Sequence, residues 1–194
     1  MTRHKSVEGS EEKGFTLIEL VVALAIILIA ALIGMPALLN AIRRSATEGG
    51  VRQATVELRA ARFEAVKNSA TVYVEADFAN DQLVTWRETD ITAGFSPADD
   101  EQLRRMPLPA KLDFWGPADP AAEGANATDP PSTPVMTFMP NGAIDEAGAF
   151  RFSDGLNFLE VEVAPRATAQ VAMLKWNGTA WKRQGEDDKR WDWQ

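Results

Sequence analysis

Twenty consecutive residues, Leu20 to Leu39, carry no charged or hydrogen-bonding side chain, and only Gly34 and Pro36 interrupt them. At 1.5 Å per residue a helix of that length spans roughly 30 Å, the thickness of a bilayer's hydrocarbon core. The apolar region of a secretory signal peptide is shorter, ~7–15 residues, and its cleavage site follows it. Here the polar punctuation, Glu11-Glu12-Lys13-Gly14, comes first. The segment reads as a retained membrane helix behind a short polar leader. Arg3, Lys5 and Lys13 before the run nearly balance Arg43, Arg44 and Arg52 after it, so charge alone does not orient the helix.

The rest of the composition narrows the chemistry. The chain of 194 residues has no Cys, which removes disulfides, thiolate catalysis and Cys-ligated metals. Its one His, His4, lies in the leader, so a chain cut after Gly14 has neither Cys nor His. Most catalytic triads and most zinc sites go with them. No spacing of carboxylates singles out an acid/base pair, and no catalytic residue or cofactor is expected. With 20 Lys and Arg against 28 Asp and Glu the net charge is −8, which argues against nucleic acid as a partner.

Glu19, between Ile18 and Leu20, is the exception inside the apolar block. An unpaired carboxylate there costs a few kcal/mol or more. Two readings stay open on composition. The side chain snorkels toward headgroups or is protonated, or it meets a cation from another chain. A cut after Gly14 would expose the α-amino group of Phe15, four residues away.

The run Lys13-Gly14-Phe15-Thr16-Leu17-Ile18-Glu19, followed by an apolar helix with Pro36 about two-thirds along it, resembles the signal of type IV pilins and type II secretion pseudopilins. The head resembles the GspH/FimT family more loosely, through a stem helix running into paired strands and the late turn Thr137-Phe138-Met139-Pro140-Asn141-Gly142. The resemblance implies cleavage between Gly14 and Phe15 by a prepilin peptidase, N-methylation of Phe15, and pairing of Glu19 with a neighbouring subunit's amine. It also implies other pseudopilins or minor pilins as partners, anchorage in inner-membrane lipid and a periplasmic head.

Pro36 removes a helical hydrogen bond and is expected to kink the helix. Gly49-Gly50 disfavours helix by about 1 kcal/mol per residue, so it reads as a hinge or as the sign of a helix ending near Glu48. Beyond it Val51, Ala54, Leu58, Ala61 and Ala65 recur at the 3-4 spacing of one helix face. The segment 40–70 has net charge +3, and the segment 71–194 net charge −10. Such a basic stem below an acidic head suits contact between stacked subunits, or is a solvated charged helix.

After Asn68-Ser69 the period becomes two. Thr71–Glu75 and Leu83–Arg87 read as a hairpin, Asp90–Met106 as polar and indistinct, and Leu108–Trp115 as holding a short strand. Gly116–Pro134 contains five prolines and no Leu, Ile or Val, and reads as an exposed loop. Five strand-like stretches follow: Val135–Met139, Ala149–Ser153, Leu156–Val163, and a hairpin of Thr168–Trp176 with Thr179–Arg183 around a type I′ turn at Asn177-Gly178. Asp99-Asp100-Glu101 and Glu186-Asp187-Asp188 lack the alternation of a dedicated calcium loop, and no metal site is expected. In the tail Lys182, Arg183, Lys189 and Arg190 accompany Trp181, Trp191 and Trp193, a mixture able to stack on nucleic acid or dock on a subunit, but four neighbouring acids cancel the cations.

The expected fold is α+β. A long N-terminal helix, transmembrane in its first half and amphipathic in its second, packs on an antiparallel β-sheet head in the manner of type IV pilins. The expected organisation is a leader at 1–14, a membrane helix at 15–39, a stem at 40–70 and a head at 71–194. The expected function is that of a minor pseudopilin at the tip of a type II secretion pseudopilus. The alternative is a minor pilin that primes a type IV pilus or aids DNA uptake.

Overall fold

A computed structural model describes residues 16–90, 94–114, 128–129 and 135–183. One helix, α1 (Leu17–Asn68), runs for 52 residues. Contacts divide the chain after Ile42 into two compact units. In the first, every large apolar side chain of α1 from Leu17 to Ile42 is uncovered, with exposures of 49 to 81%. The second holds the remainder of α1 and, among the described residues, ten strands.

These strands are β1 (Val72–Asp77), β2 (Gln82–Arg87), β3 (Glu101–Pro107), β4 (Asp113–Phe114), β5 (Thr128–Asp129), β6 (Val135–Phe138), β7 (Gly148–Ser153), β8 (Phe158–Ala164), β9 (Gln170–Trp176) and β10 (Trp181–Arg183). They form two antiparallel sheets, one in the order β3-β2-β1-β6 and one in the order β10-β9-β8-β7-β4, with β5 also paired to β7.

Period-two alternation builds the inner face of the first sheet. Val72, Val74 and Ala76 of β1 are buried, and Val74 lies opposite Thr85 of β2 and Met136 of β6. Phe150, Phe152, Leu159, Val161 and Val163 do the same for the second sheet. Val51, Ala54, Leu58, Ala61 and Ala65 of α1 join both sets in one core, fully buried. Each large side chain there contributes about 1.5–3 kcal/mol, and the small alanines let the helix backbone come close. The second sheet also buries an ion pair, Arg151 Nε to Glu160 Oε2 at 3.1 Å, with the Arg151 guanidinium 5.3 Å from the Trp181 ring centre.

The structure corrects several expectations. The one antiparallel sheet expected for the head is two, because β6 returns to pair with β1 instead of with its chain neighbour β7. The polar stretch Asp90–Met106 holds all but the last residue of β3, an edge strand whose Glu101, Arg104 and Arg105 mask the alternation. The expected loop 116–134 includes Thr128–Asp129, paired with β7; its other residues lie outside the described ones. The strand expected from Leu156 starts at Phe158, because the Asp154 carboxylate captures the amides of Leu156 and Asn157. The strand expected from Thr168 starts at Gln170, since the amides of Thr168 and Ala169 turn back to the Pro165 carbonyl.

At Asn177-Gly178 only Gly178 has a positive φ, so the connection is a four-residue loop and not a type I′ turn. The Asn177 side chain accepts bonds from the amides of Thr179 and Ala180, closing the loop locally. The helix does not end near Glu48, and Gly49-Gly50 lies within it.

Candidate functional site

The N-terminal end of α1 is built by two residues. The Thr16 amide and hydroxyl both donate to Glu19 Oε2 at 2.9 Å, and the Glu19 amide donates back to Thr16 Oγ1 at 3.3 Å. This reciprocal arrangement is a capping box, which satisfies amides that a helix's first turn leaves without partners. Glu19 also sits where the helix dipole favours negative charge. The Thr-x-x-Glu spacing was present in the sequence, and reading Glu19 only for its charge missed it. Gly14 and Phe15 lie outside the described residues. Pro36 lies inside the uninterrupted helical stretch of α1, where it has no amide hydrogen to donate.

Further along, side chains tie α1 to the head at successive levels. Lowest is the turn after β7. Thr47 Oγ1 donates to Asp154 Oδ2 at 2.8 Å, Arg43 Nε lies 3.5 Å from the same oxygen, and the Arg43 guanidinium also donates to the Asp154 carbonyl. Burial pushes the Asp154 carboxyl up. The amides of Asn157 and Leu156, the Thr47 hydroxyl and the Asn157 side chain outweigh that, and hold it below the usual carboxylate range. The turn itself needs Gly155, whose φ is +85°.

One turn up, Gly50 touches the loop between β3 and β4. A Cβ at this position would lie 2.6 Å from Leu112 Cδ2 and 2.8 Å from Pro109 Cγ, whereas Gly49 faces open space. The two glycines therefore differ in role, and Gly50 is a close-approach residue. Above it Glu57 Oε1 accepts bonds from Thr85 Oγ1 at 2.6 Å and Arg104 Nε at 2.8 Å. Arg59 donates to the Val171 carbonyl and Arg62 Nε to the Gly142 carbonyl at 2.9 Å. The late turn that carried part of the family resemblance thus receives the upper stem, with Gly142 at φ +80°. Thr47, Glu57, Arg104 and Asp154 were not singled out from sequence, because their partners lie 28 to 107 residues away.

The acidic stretch Asp99-Asp100-Glu101 is engaged internally. Asp100 accepts the amides of Thr89 and Ser96, Asp99 the Ser96 hydroxyl, and Glu101 pairs with Arg87. Among the described residues no three His, Cys, Asp or Glu side chains gather closely enough to hold a metal. Trp181 packs edge-on against Trp176 with ring centres 5.4 Å apart and covers Arg151, while Arg183 pairs with Glu162 at 3.2 Å. Glu186-Asp187-Asp188, Lys189, Arg190, Trp191 and Trp193 lie outside the described residues. What the described geometry offers is an apolar helix, a capped N-terminus and a head fastened along the stem, the parts of an assembly subunit.

Two family models match the chain. Residues 10–35 match the model of the prokaryotic N-terminal methylation motif, and residues 51–173, more than half the chain, match that of Type II transport protein GspH. Among solved structures, the minor pseudopilin EpsH from the Type 2 Secretion System of Vibrio cholerae is similar at 10% identity, with a TM-score of 0.36, over 71% of this chain and 94% of that one. No curated protein gives a significant match. The chain belongs to the Type II transport protein GspH family, as a pseudopilin of type II secretion whose long helix packs on antiparallel sheets.

Proposed function

We propose that this subunit is made with a leader, residues 1–14, which a prepilin peptidase removes between Gly14 and Phe15, leaving Phe15 as an N-methylated terminus. Residues 15–39 anchor it in the inner membrane, residues 40–70 form the stem, and residues 71–194 form a periplasmic head. It then enters a pseudopilus as a minor, non-enzymatic subunit near the tip, where Glu19 neutralises the Phe15 amine of a neighbour. Its partners are other pseudopilins, the peptidase and lipid, and the net charge of −8 gives nucleic acid no footing. The observation that carries this reading is the pairing, on one chain, of a methylation motif at 10–35 with a GspH head at 51–173. The secretion family at the head favours this over a pilus subunit.

The test compares Glu19→Ala with Glu19→Gln in cells making the other pseudopilins. A glutamine at the third helical position keeps the capping box but not the charge. Charge pairing requires both variants to insert in the membrane and both to be lost from filaments. If Glu19→Gln assembles at wild-type levels, capping and not pairing is the role of Glu19. A mature protein whose mass still includes Met1 would overturn the processing step.

A further inference from the structure

The stem portion of α1 has two seams with the same spacing. The inner one is the buried Val51–Ala65 face. The outer one, Ala46, Gly49, Gln53, Val56, Ala60, Phe63 and Lys67, steps 3-4-3-4-3-4 along the helix and lies roughly 150° round from the inner seam at ~100° per residue. Val56 is 62% and Phe63 66% exposed, apolar residues seven apart on the side away from both sheets. Ala46, Gly49 and Ala60 between them let another backbone approach closely. Arg52 and Arg59 flank this seam on one side, and Glu57 and Glu64 on the other.

That flanking pattern is self-complementary in one orientation only. In a parallel pair of helices packed on such a seam, the residue on one flank meets the opposite flank of its partner five positions on. Arg59 then meets Glu64 of the partner subunit, and Arg52 meets Glu57 of the partner subunit. An antiparallel pair would set arginine against arginine. Arg52 is already paired with Glu48 of its own helix and Glu57 serves Thr85 and Arg104 of its own head, so Arg59 with Glu64 is the pair that counts. Within the single chain Arg59 reaches the Val171 carbonyl and Glu64 accepts from the Asn68 amide, both at the surface.

We propose that the outer seam docks the same seam of a second copy of this chain, parallel and side by side. The inner and outer seams lie nearly opposite, so the two heads lie on the far sides of the helix pair and do not collide. The inference rests on the pseudopilin reading only in that an N-terminal anchor holds both copies in one direction in one membrane.

Because the chain has no cysteine, single-cysteine variants of the full-length protein in membranes give a clean readout. Under mild oxidation Phe63→Cys and Val56→Cys should each form a disulfide-linked homodimer. Leu156→Cys, also exposed but on the head, should not. Adding Arg59→Glu to Phe63→Cys should lower the cross-linked fraction severalfold, and adding Glu64→Arg as well should restore it. The inference is overturned if neither seam cysteine dimerises, if Leu156→Cys dimerises equally, if the seam cross-links only to a different protein, or if the double charge swap fails to restore. Failure of the pseudopilin reading would appear instead as an uncut N-terminus, which this cross-linking does not depend on.

Discussion

The two halves of α1 share one secondary structure and follow opposite rules. From Leu17 to Ile42 the helix is apolar on every side, and its leucines and isoleucines lie open, Leu32 and Ile33 at 76%. From Arg43 to Asn68 apolar and small residues are buried on one face, Val56 and Phe63 lie open on another, and arginines and glutamates occupy the flanks. A helix apolar all round is made for a surrounding apolar solvent, and one whose apolar residues keep to separate stripes for packed neighbours. Lipid asks only for hydrophobicity, whereas a sheet asks for particular shapes at particular positions. Substitutions should therefore matter by character in the first half and by fit in the second.

Four measurements would break or sharpen that contrast, beginning with the largest effect. Gly50→Val drives branched carbon into Pro109 and Leu112, and should destabilise the head by about 3 kcal/mol or more, read from tryptophan fluorescence during denaturation in detergent. Wild-type stability would mean the β3–β4 loop yields freely. Leu28→Arg should cost about 2.5–3.5 kcal/mol of membrane insertion, seen as protein released by alkaline extraction, with little change in head unfolding. Equal loss of head stability would erase the distinction between the halves.

Asp154→Ala removes the acceptor for Thr47 and for two loop amides and leaves the Arg43 guanidinium without its carboxylate, costing about 2 kcal/mol. Its pH dependence has a definite sign. The folded carboxyl titrates below its unfolded value, so its stabilisation is complete above about pH 5 and fades as pH falls through the folded pKa. Asp154→Asn should flatten the stability profile between about pH 5 and pH 3, and an unchanged slope would assign the acid lability elsewhere. Smallest, and opposite in direction, is Gly49→Ala. With nothing within 4 Å of its Cβ, it should gain up to about 1 kcal/mol of helix stability, and a loss would mean that Gly49 itself works as a hinge.

Much of this fold could be read from residue order because its signals are local. The apolar stretch, the 3-4 spacing after Gly50, and the alternation in β1, β2 and β8 each depend on near neighbours. The turn at Pro140-Asn141-Gly142 followed from residues that tolerate its backbone, and Gly142 does take a positive φ. The misses share a cause. β3 at a charged edge lacks a full alternating pattern, and Phe158 begins β8 late because one aspartate side chain competes for two amides. The capping box at Thr16 and Glu19 was local and legible, but a carboxylate in an apolar block drew attention to its charge before its geometry.

Residue order alone settled that this chain has a membrane-compatible helix, an amphipathic continuation, a β-rich head, no cysteine and a single histidine, His4. These follow from composition and short periods, which translate into structure without long-range contacts. Folding in three dimensions added which strands join which sheet, why Gly50 and not Gly49 is sterically required, and how Asp154, Glu57 and Gly142 hold the stem. Those outcomes depend on groups brought together across dozens of residues, where the energy lies in close contact and paired hydrogen bonds that no local pattern encodes.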